Sequence, residues 1–272
     1  MPRIPLEDNF DDVINKAQRG LKIADADLAR LAEVSALDLA AVKSGKPILA
    51  VIRRVARHLK LSPDALEVLA QKAWYPAQPN FPTGFAAFNT PYEDMTVNSY
   101  LVWDARSKVA AAFDTGANCD AMLDVLRAER LALHMIFVTH THEDHIADLA
   151  KLAAETKADI WVSELEPLPN AKTFKENAHF HVGPLAIKTL LTSGHSPGGT
   201  TFYITGLSWP IAIVGDAMFA SSMGGSATHF TEQFHNNRRK IMTLPNDTVL
   251  ACGHGPLTSV AQERQHNPFF AR

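Results

Sequence analysis

Four times in its second half the chain runs through a short apolar stretch and then stops on a histidine or an aspartate. "LHMIFVTH" ends on His140, "LLTSGH" on His195, "AIVGD" on Asp216 and "LACGH" on His254. In the last three a glycine stands directly before the polar residue, which relaxes the backbone as the chain turns off a sheet. Strand ends are where a rigid scaffold builds sites. A chain that repeats this pattern has to fold so that several strands finish at a common edge.

The first stretch continues as "THTHEDHIADL", so His142, Asp144 and His145 follow His140 within six positions. In an extended segment alternate side chains share a face, which lets His140 and His142 reach one cation together. Asp144 and His145 fall where a helix should begin. Read alone, this segment is equally a solvated strand-to-helix loop with Asp144 as an N-cap. The three later strand ends decide between the two, because imidazole and carboxylate together are the ligands of zinc, iron or manganese. A donor set without cysteine suits an open catalytic centre more than a closed structural zinc.

Ahead of this region lies a different pattern. Residues 1 to about 72 have apolar positions at three- and four-residue spacing and no alternating strand signal, which predicts four or five short helices. Ser35 before "ALDLAAV" and Ser62-Pro63-Asp64 before "ALEVLAQ" are helix starts. "YPAQPNFPTGFAAFNTP" then carries four prolines and reads as an extended connection. The expected organisation is a helical domain over 1–74, a linker over 75–91 and a mixed α and β domain over 92–272. In the last, strands are expected at "TVNSYLVWD", "VAAAFDTG", "LHMIFVTH", "DIWVS", "LAIKTLLTS", "TTFYIT", "WPIAIVGD" and "DTVLACGH", with helices near 118–130, after His145 and near 231–243.

Charge excludes some partners. A net charge of -3 gives no general attraction to nucleic acid or anionic lipid. The opening "MPRIPLEDNFDDV" lacks the tracts of a secretory leader and no stretch is apolar enough for a bilayer, so a cytoplasmic protein without a membrane partner is expected. Cys119 and Cys252 are expected as free thiols. His58, His134, His179, His181, His229, His235 and His266 read as surface or structural groups. His229 is the one placed to meet a substrate, because it follows the glycine-rich "SSMGGSAT".

The ligand pattern resembles the metallo-β-lactamase-fold hydrolases. Their H-x-H-x-D-H segment matches His140, His142, Asp144 and His145, and their later single ligands match His195, Asp216 and His254. The resemblance implies a four-layer αβ/βα sandwich over roughly residues 85 to 270. It also implies two divalent cations, zinc first and iron or manganese next. His140, His142 and His195 would hold one, Asp144, His145 and His254 the other, and Asp216 both. Two cations sharing an activated water make hydrolysis the reaction class, with Asp144 and Asp216 as the catalytic carboxylates and a small molecule as substrate. Glu263 and Asn267-Pro268-Phe269 in the tail are similar to the glyoxalase II-like branch, which implies a thioester, ester or lactone substrate. The basic residue that branch carries after "GD-x-LFA" is replaced here by Gly224, Gly225 and Ser226. An iron-dependent thiol dioxygenase of the same fold is the enzymatic alternative, with His140, His195 and Asp216 sufficient for one iron.

"DLARLAEVSALDLAAVKSGK" resembles a phage-repressor helix-turn-helix through Leu28-Ala29, Val34-Ser35 and Ser44-Gly45-Lys46, although Glu33 stands where that family often has glycine. The side chains that would read bases argue against nucleic acid: Ala36, Leu37, Asp38, Ala40 and Ala41 offer little to a major groove. A DNA-binding regulator with a hydrolase-like sensor domain is the rival from another class. The other expectation is a packing module whose Leu37 and Ala40 face docks on the catalytic domain, covers its mouth or pairs two subunits as a homodimer.

Overall fold

The computed structural model describes residues 3–271. Five helices come first: α1 (Phe10–Leu21), α2 (Asp25–Ala32), α3 (Ala36–Lys43), α4 (Leu49–His58) and α5 (Pro63–Ala70). Ser35 and Ser62 cap α3 and α5, each accepting a backbone N–H three residues on, and Pro63 takes the first helical turn of α5. Glu33 closes α2 in the left-handed region at φ 52°, the conformation that makes glycine common at this turn.

Two six-stranded sheets follow. The first takes β1 (Phe85–Tyr92), β2 (Met95–Trp103), β3 (Val109–Phe113), β4 (Ala132–Phe137), β5 (Asp159–Ser163) and β6 (Lys172–Phe174) in chain order. β1, β2 and β3 pair antiparallel, and the rest parallel. Helices α6 (Asp120–Ala128), α7 (Glu143–Ile146) and α8 (Leu149–Thr156) supply its crossovers. The second sheet takes β7 (His179–Val182), β8 (Leu185–Leu191), β9 (Thr200–Thr205), β10 (Ile211–Gly215), β11 (Val249–Cys252) and β12 (Thr258–Ser259), again in chain order across the sheet. Between β10 and β11 the chain forms α9 (Phe230–Asn236), which runs on into a π-helical turn, Asn237–Ile241. It ends with α10 (Val260–His266).

Strand composition dictates the layers. In β3, Ala111 and Phe113 face the other sheet while Ala110 and Ala112 face α6 and α8. In β10, Ile211 and Ile213 face the first sheet while Ala212 and Val214 face the layer of Ile241 and Val260. Such strands are buried on both faces, which is why they read as unbroken apolar runs. Phe113, Phe137 and Phe202 meet between the sheets with ring centroids 5.1–5.3 Å apart. The result is an all-helical region ahead of a four-layer αβ/βα sandwich.

β1 starts at Phe85, within the proline-rich stretch; β6, β7 and β12 were not expected from the sequence. The last three are two to four residues long and show no usable period. None of the helices among the described residues is long and apolar enough to cross a membrane. Cys119 and Cys252 are free and buried.

The helical region packs on the sandwich, but not through the expected face. Leu37 is 84% exposed, and Ala36, Asp38 and Ala40 are exposed beside it, so this face of α3 neither docks on the sandwich nor covers the metal centre. α1 and α5 make the contact instead. Phe10, Val13, Ile14, Ala17 and Leu66 share one buried cluster with Met223, Phe230 and Phe269. A Cβ on Gly20 of α1 would stand 2.1 Å from the Phe230 ring, so glycine sets how closely that helix approaches. The interior positions of α1 are its large apolar ones, whereas α3 has only Leu39 and Val42 to bury.

Glu263 on α10 is fully buried and ties the loop at 221 to the tail. It accepts from Ser221 N–H at 2.9 Å, Asn267 Nδ2 at 2.8 Å and Thr258 Oγ1 at 2.6 Å. Burial pushes its carboxyl up to about 7, against the pull of those donors. Because the folded value lies above the unfolded one, this group's stabilising contribution is complete below about pH 4.5 and is lost as pH rises through about 7. The gap corresponds to about 3 kcal/mol. Glu263→Gln keeps the shape and is neutral like the protonated acid, and its amide N–H can donate to Thr258 Oγ1 once that hydroxyl turns to accept. Urea unfolding is expected to show the variant gaining stability relative to the parent, by up to that amount, between pH 5 and pH 8. A difference that does not change with pH would contradict this.

Candidate metal centre

All seven expected residues come together at one edge of the two sheets. β4 ends just before Thr139 and His140, β10 before Asp216 and β11 before His254, while His195 lies between β8 and β9. His142 caps α7, and Asp144 and His145 are inside it, so Asp144 is not the N-cap. Their donor atoms form three groups, each within 4.8 Å: His140, His142 and His195; His140, His145 and Asp216; Asp144, His145 and His254. Asp216 touches both halves. Its Oδ2 is 3.4 Å from His195 Nε2 and from His254 Nε2, and its Oδ1 is 3.4 Å from His145 Nε2.

The outer ring nitrogens fix which inner ones are turned to the centre. His254 Nδ1 donates to Thr96 O at 2.7 Å and His195 Nδ1 to Gly225 O at 2.9 Å, since a carbonyl can only accept. His145 Nδ1 donates to Asp114 Oδ2 at 2.8 Å. Thr139 Oγ1 gives its one proton to the same Asp114 oxygen and therefore accepts from His140 Nδ1 at 3.0 Å. Four Nε2 atoms thus face inward. Such partners orient metal-binding imidazoles and raise their basicity.

Two of those atoms, His140 Nε2 and His195 Nε2, each lie 3.1 Å from His142 Nδ1. One proton at most is available to three converging nitrogens, so lone pairs face one another. Deeper in, His145 Nε2 and Asp216 Oδ1 are buried without any hydrogen-bond partner. Buried polar atoms are rarely left so. A cation at each focus satisfies both anomalies, and the nitrogen and carboxylate donors fit zinc, iron or manganese.

Electrostatics divides the same way. Burial pushes His140 and His142 down, keeping them neutral ligands. Burial opposes charge on His145 as well, but Asp114 and Asp216 outweigh it and raise this imidazole to about 10. Asp144 and Asp216 likewise overcome burial at His254 and lift it to about 11. Burial resists ionisation of Asp216, yet His145 and His254 hold its carboxyl well below the usual range. The carboxylates are therefore charged at neutral pH, and the protons beside them are what incoming cations displace.

Sequence reasoning did not single out Asp114 or Thr139. Asp114 sits at φ 56° just after β3 and also accepts from Thr139 N–H at 2.7 Å. The segment "FDTG" that contains it was the available signal. His229 stays outside the centre, exposed, with Nδ1 3.4 Å from Glu232 Oε2.

Comparison with known proteins agrees with this geometry. Residues 92–254 match the family described as "Metallo-beta-lactamase superfamily". Among similar sequences, "Probable metallo-hydrolase YqgX" of Bacillus subtilis (strain 168) is 26% identical over 207 residues, covering 66% of this chain and 94% of its own. "Hydroxyacylglutathione hydrolase" of Bartonella quintana (strain Toulouse) is 32% identical over 159 residues, 57% of this chain and 61% of its own. Among solved structures, the BLEG-1 B3 metallo-beta-lactamase superposes with a TM-score of 0.59 at 25% identity, covering 69% of this chain and 100% of that one. ETHE1 from Myxococcus xanthus gives 0.60 at 24% identity over 67% and 83%, a likeness of fold.

Proposed function

This chain belongs to the metallo-beta-lactamase superfamily and is a metal-dependent hydrolase, and on that premise we propose that it cleaves a thioester, or a related ester or lactone, as the glyoxalase II-like branch does. In this reading His140, His142 and His195 hold one divalent cation, Asp144, His145 and His254 hold a second, and Asp216 reaches both. Zinc is the metal expected. The observation that carries the reading is the pair of adjoining donor groups with Asp216 between them. A hydroxyacylglutathione hydrolase among the relatives and the buried Glu263–Asn267 tail support the branch.

Bound there, a pair of cations would supply a water of lowered pKa and Lewis acidity toward the acyl oxygen. The chain's own groups do the rest. Asp144 is half-buried, with Oδ2 3.2 Å from His254 Nε2 and 3.4 Å from His145 Nε2. In that position it orients the attacking water and returns its proton to the leaving group. Asp216 keeps its charge within the cage and holds the two halves in register. The reading treats residues 1–74 as a repressor-like unit kept for packing, 75–91 as the connection and 92–272 as the catalytic domain.

The test is a turnover screen of thioesters, lactones, β-lactams and phosphodiesters on the metal-loaded protein, with two ions per chain by elemental analysis. Thioesters are expected to dominate, and Asp144→Ala to lower turnover by about 10²- to 10⁴-fold, the range for loss of a proton-transfer group. One iron per chain with no ester turnover would reject the reading.

A further inference from the structure

We propose that Glu166, on the turn after β5, is a positioning residue for the first cation site: its one carboxylate pins the loop of His140 and His142 to the loop of His195, and the cation held by these three histidines depends on it while the second does not. The inference rests on the two-cation reading above and deepens it.

Four of the five histidines in the cage are aimed by a partner on the outer ring nitrogen: Thr139 for His140, Asp114 for His145, Gly225 O for His195 and Thr96 O for His254. His142 is the exception. Its Nδ1 faces His140 and His195, its ring is exposed, and its Nε2 has no hydrogen-bond partner among the described residues. An imidazole that nothing holds from outside takes its direction from the main chain that carries it. What fixes that main chain therefore fixes the ligand.

β4 and β5 pair in parallel, so they finish at the same edge of the first sheet. After β5, Ser163 Oγ accepts from Leu165 N–H at 3.3 Å and Ser163 O from Glu166 N–H at 3.0 Å, a turn that brings Glu166 back over the strand ends. Its Oε2 accepts from Thr141 N–H at 3.0 Å and from Thr141 Oγ1 at 3.3 Å, between His140 and His142. Its Oε1 accepts from Gly198 N–H at 3.1 Å, on the loop that carries His195 from β8 to β9. Each oxygen thus serves a different sheet, through bonds that the charge on the acceptor strengthens. Thr200 N–H also donates to Thr139 O at 2.9 Å, but that tie precedes His140 and leaves Thr141 and His142 to Glu166. A Cβ at Gly198 would stand 2.9 Å from Glu166 Cγ and from Ser163 Cβ, so glycine gives the carboxylate its place. The outer partners of His145 and His254 in the second site do not involve Glu166.

Cobalt(II) binding, followed by visible absorption, tests this on the full chain in two single-site backgrounds. His254→Ala leaves the first site complete, and His142→Ala leaves the second. In the first background Glu166→Ala is expected to weaken cobalt binding about 10- to 100-fold, the cost of losing a group that orients a ligand, and in the second by less than about twofold. Glu166→Gln keeps one accepting oxygen but turns an amide donor toward the other loop, so it should fall between. Gly198→Ala leaves the carboxylate present and crowds it, and should weaken the first site alone. Saturating cobalt should restore to Glu166→Ala the absorption bands of its background, which a misfolded chain would not give. Equal weakening in both backgrounds, or none in either, overturns the proposal and leaves the two-cation reading standing. If neither background takes up one cobalt, the two-cation reading fails and the proposal falls with it.

Discussion

Asp216→Ala is expected to lower turnover by at least about a thousandfold and to leave fewer than two cations per chain. The reason is position. This carboxylate is within 3.4 Å of His145, His195 and His254 and 4.0 Å from His140, so each half of the cage loses a donor at once. A thousandfold corresponds to about 4 kcal/mol of lost transition-state stabilisation. The charge matters as well as the shape: a carboxylate offers an anionic donor to a divalent cation, and an amide of the same size does not. Asp216→Asn should therefore bind metal weakly even though it fills the same space. Elemental analysis after dialysis, paired with initial rates, gives the answer. Full metal content with near-parent turnover in either variant would show that Asp216 is not the shared ligand.

Gly253→Ala tests the same cage without removing any donor. A Cβ at 253 would stand 2.1 Å from Asp216 Oδ1, 2.7 Å from His145 Cε1 and 3.1 Å from the carbonyl carbon of Gly215. Neither side chain has room to retreat. His145 is pinned by Asp114, and the backbone at 253 is held by its N–H to Gly215 O at 2.9 Å and by Asn98 N–H to its carbonyl at 2.7 Å. One methyl group should displace Asp216 or the end of β11, cost about 1–3 kcal/mol of stability, and reduce turnover by two orders of magnitude or more, as misplacement by about 1 Å can. Gly225→Ala is the control, since its Cβ would meet only Lys16 Cε at 3.8 Å. The two variants should separate clearly in melting temperature and metal content. Equal behaviour would mean that the cage is looser than these distances imply.

The contrast between these glycines shows what the sequence could and could not convey. Gly253 belongs to the repeated pattern of apolar strand, glycine and ligand, which is local and therefore readable. So were the caps Ser35 and Ser62 and the doubly buried strands β3 and β10. Asp114 was not, because its role depends on Thr139 and His145, 25 and 31 residues away. The short strands β6, β7 and β12 lack the length for a period to show. That the Leu37 and Ala40 face neither docks on the sandwich nor covers its mouth was hidden for a related reason. Leu37 and Ala40 suggested a surface seeking a partner, while the cluster that does pack depends on Phe230 and Phe269, which no pattern within residues 1–74 reveals.

The contact between Asp8, ahead of α1, and Ser222 gives the fold an order of assembly. The two meet across 214 positions, so a ribosome releases the segment carrying Asp8 long before the loop that receives it exists. Until then α1 shows Phe10, Val13 and Ile14 with no Phe230 to cover them. Contacts of such long range form slowly, and uncovered apolar faces invite aggregation meanwhile. The helical region should settle last, and yield of active protein should fall when synthesis outpaces chaperone supply.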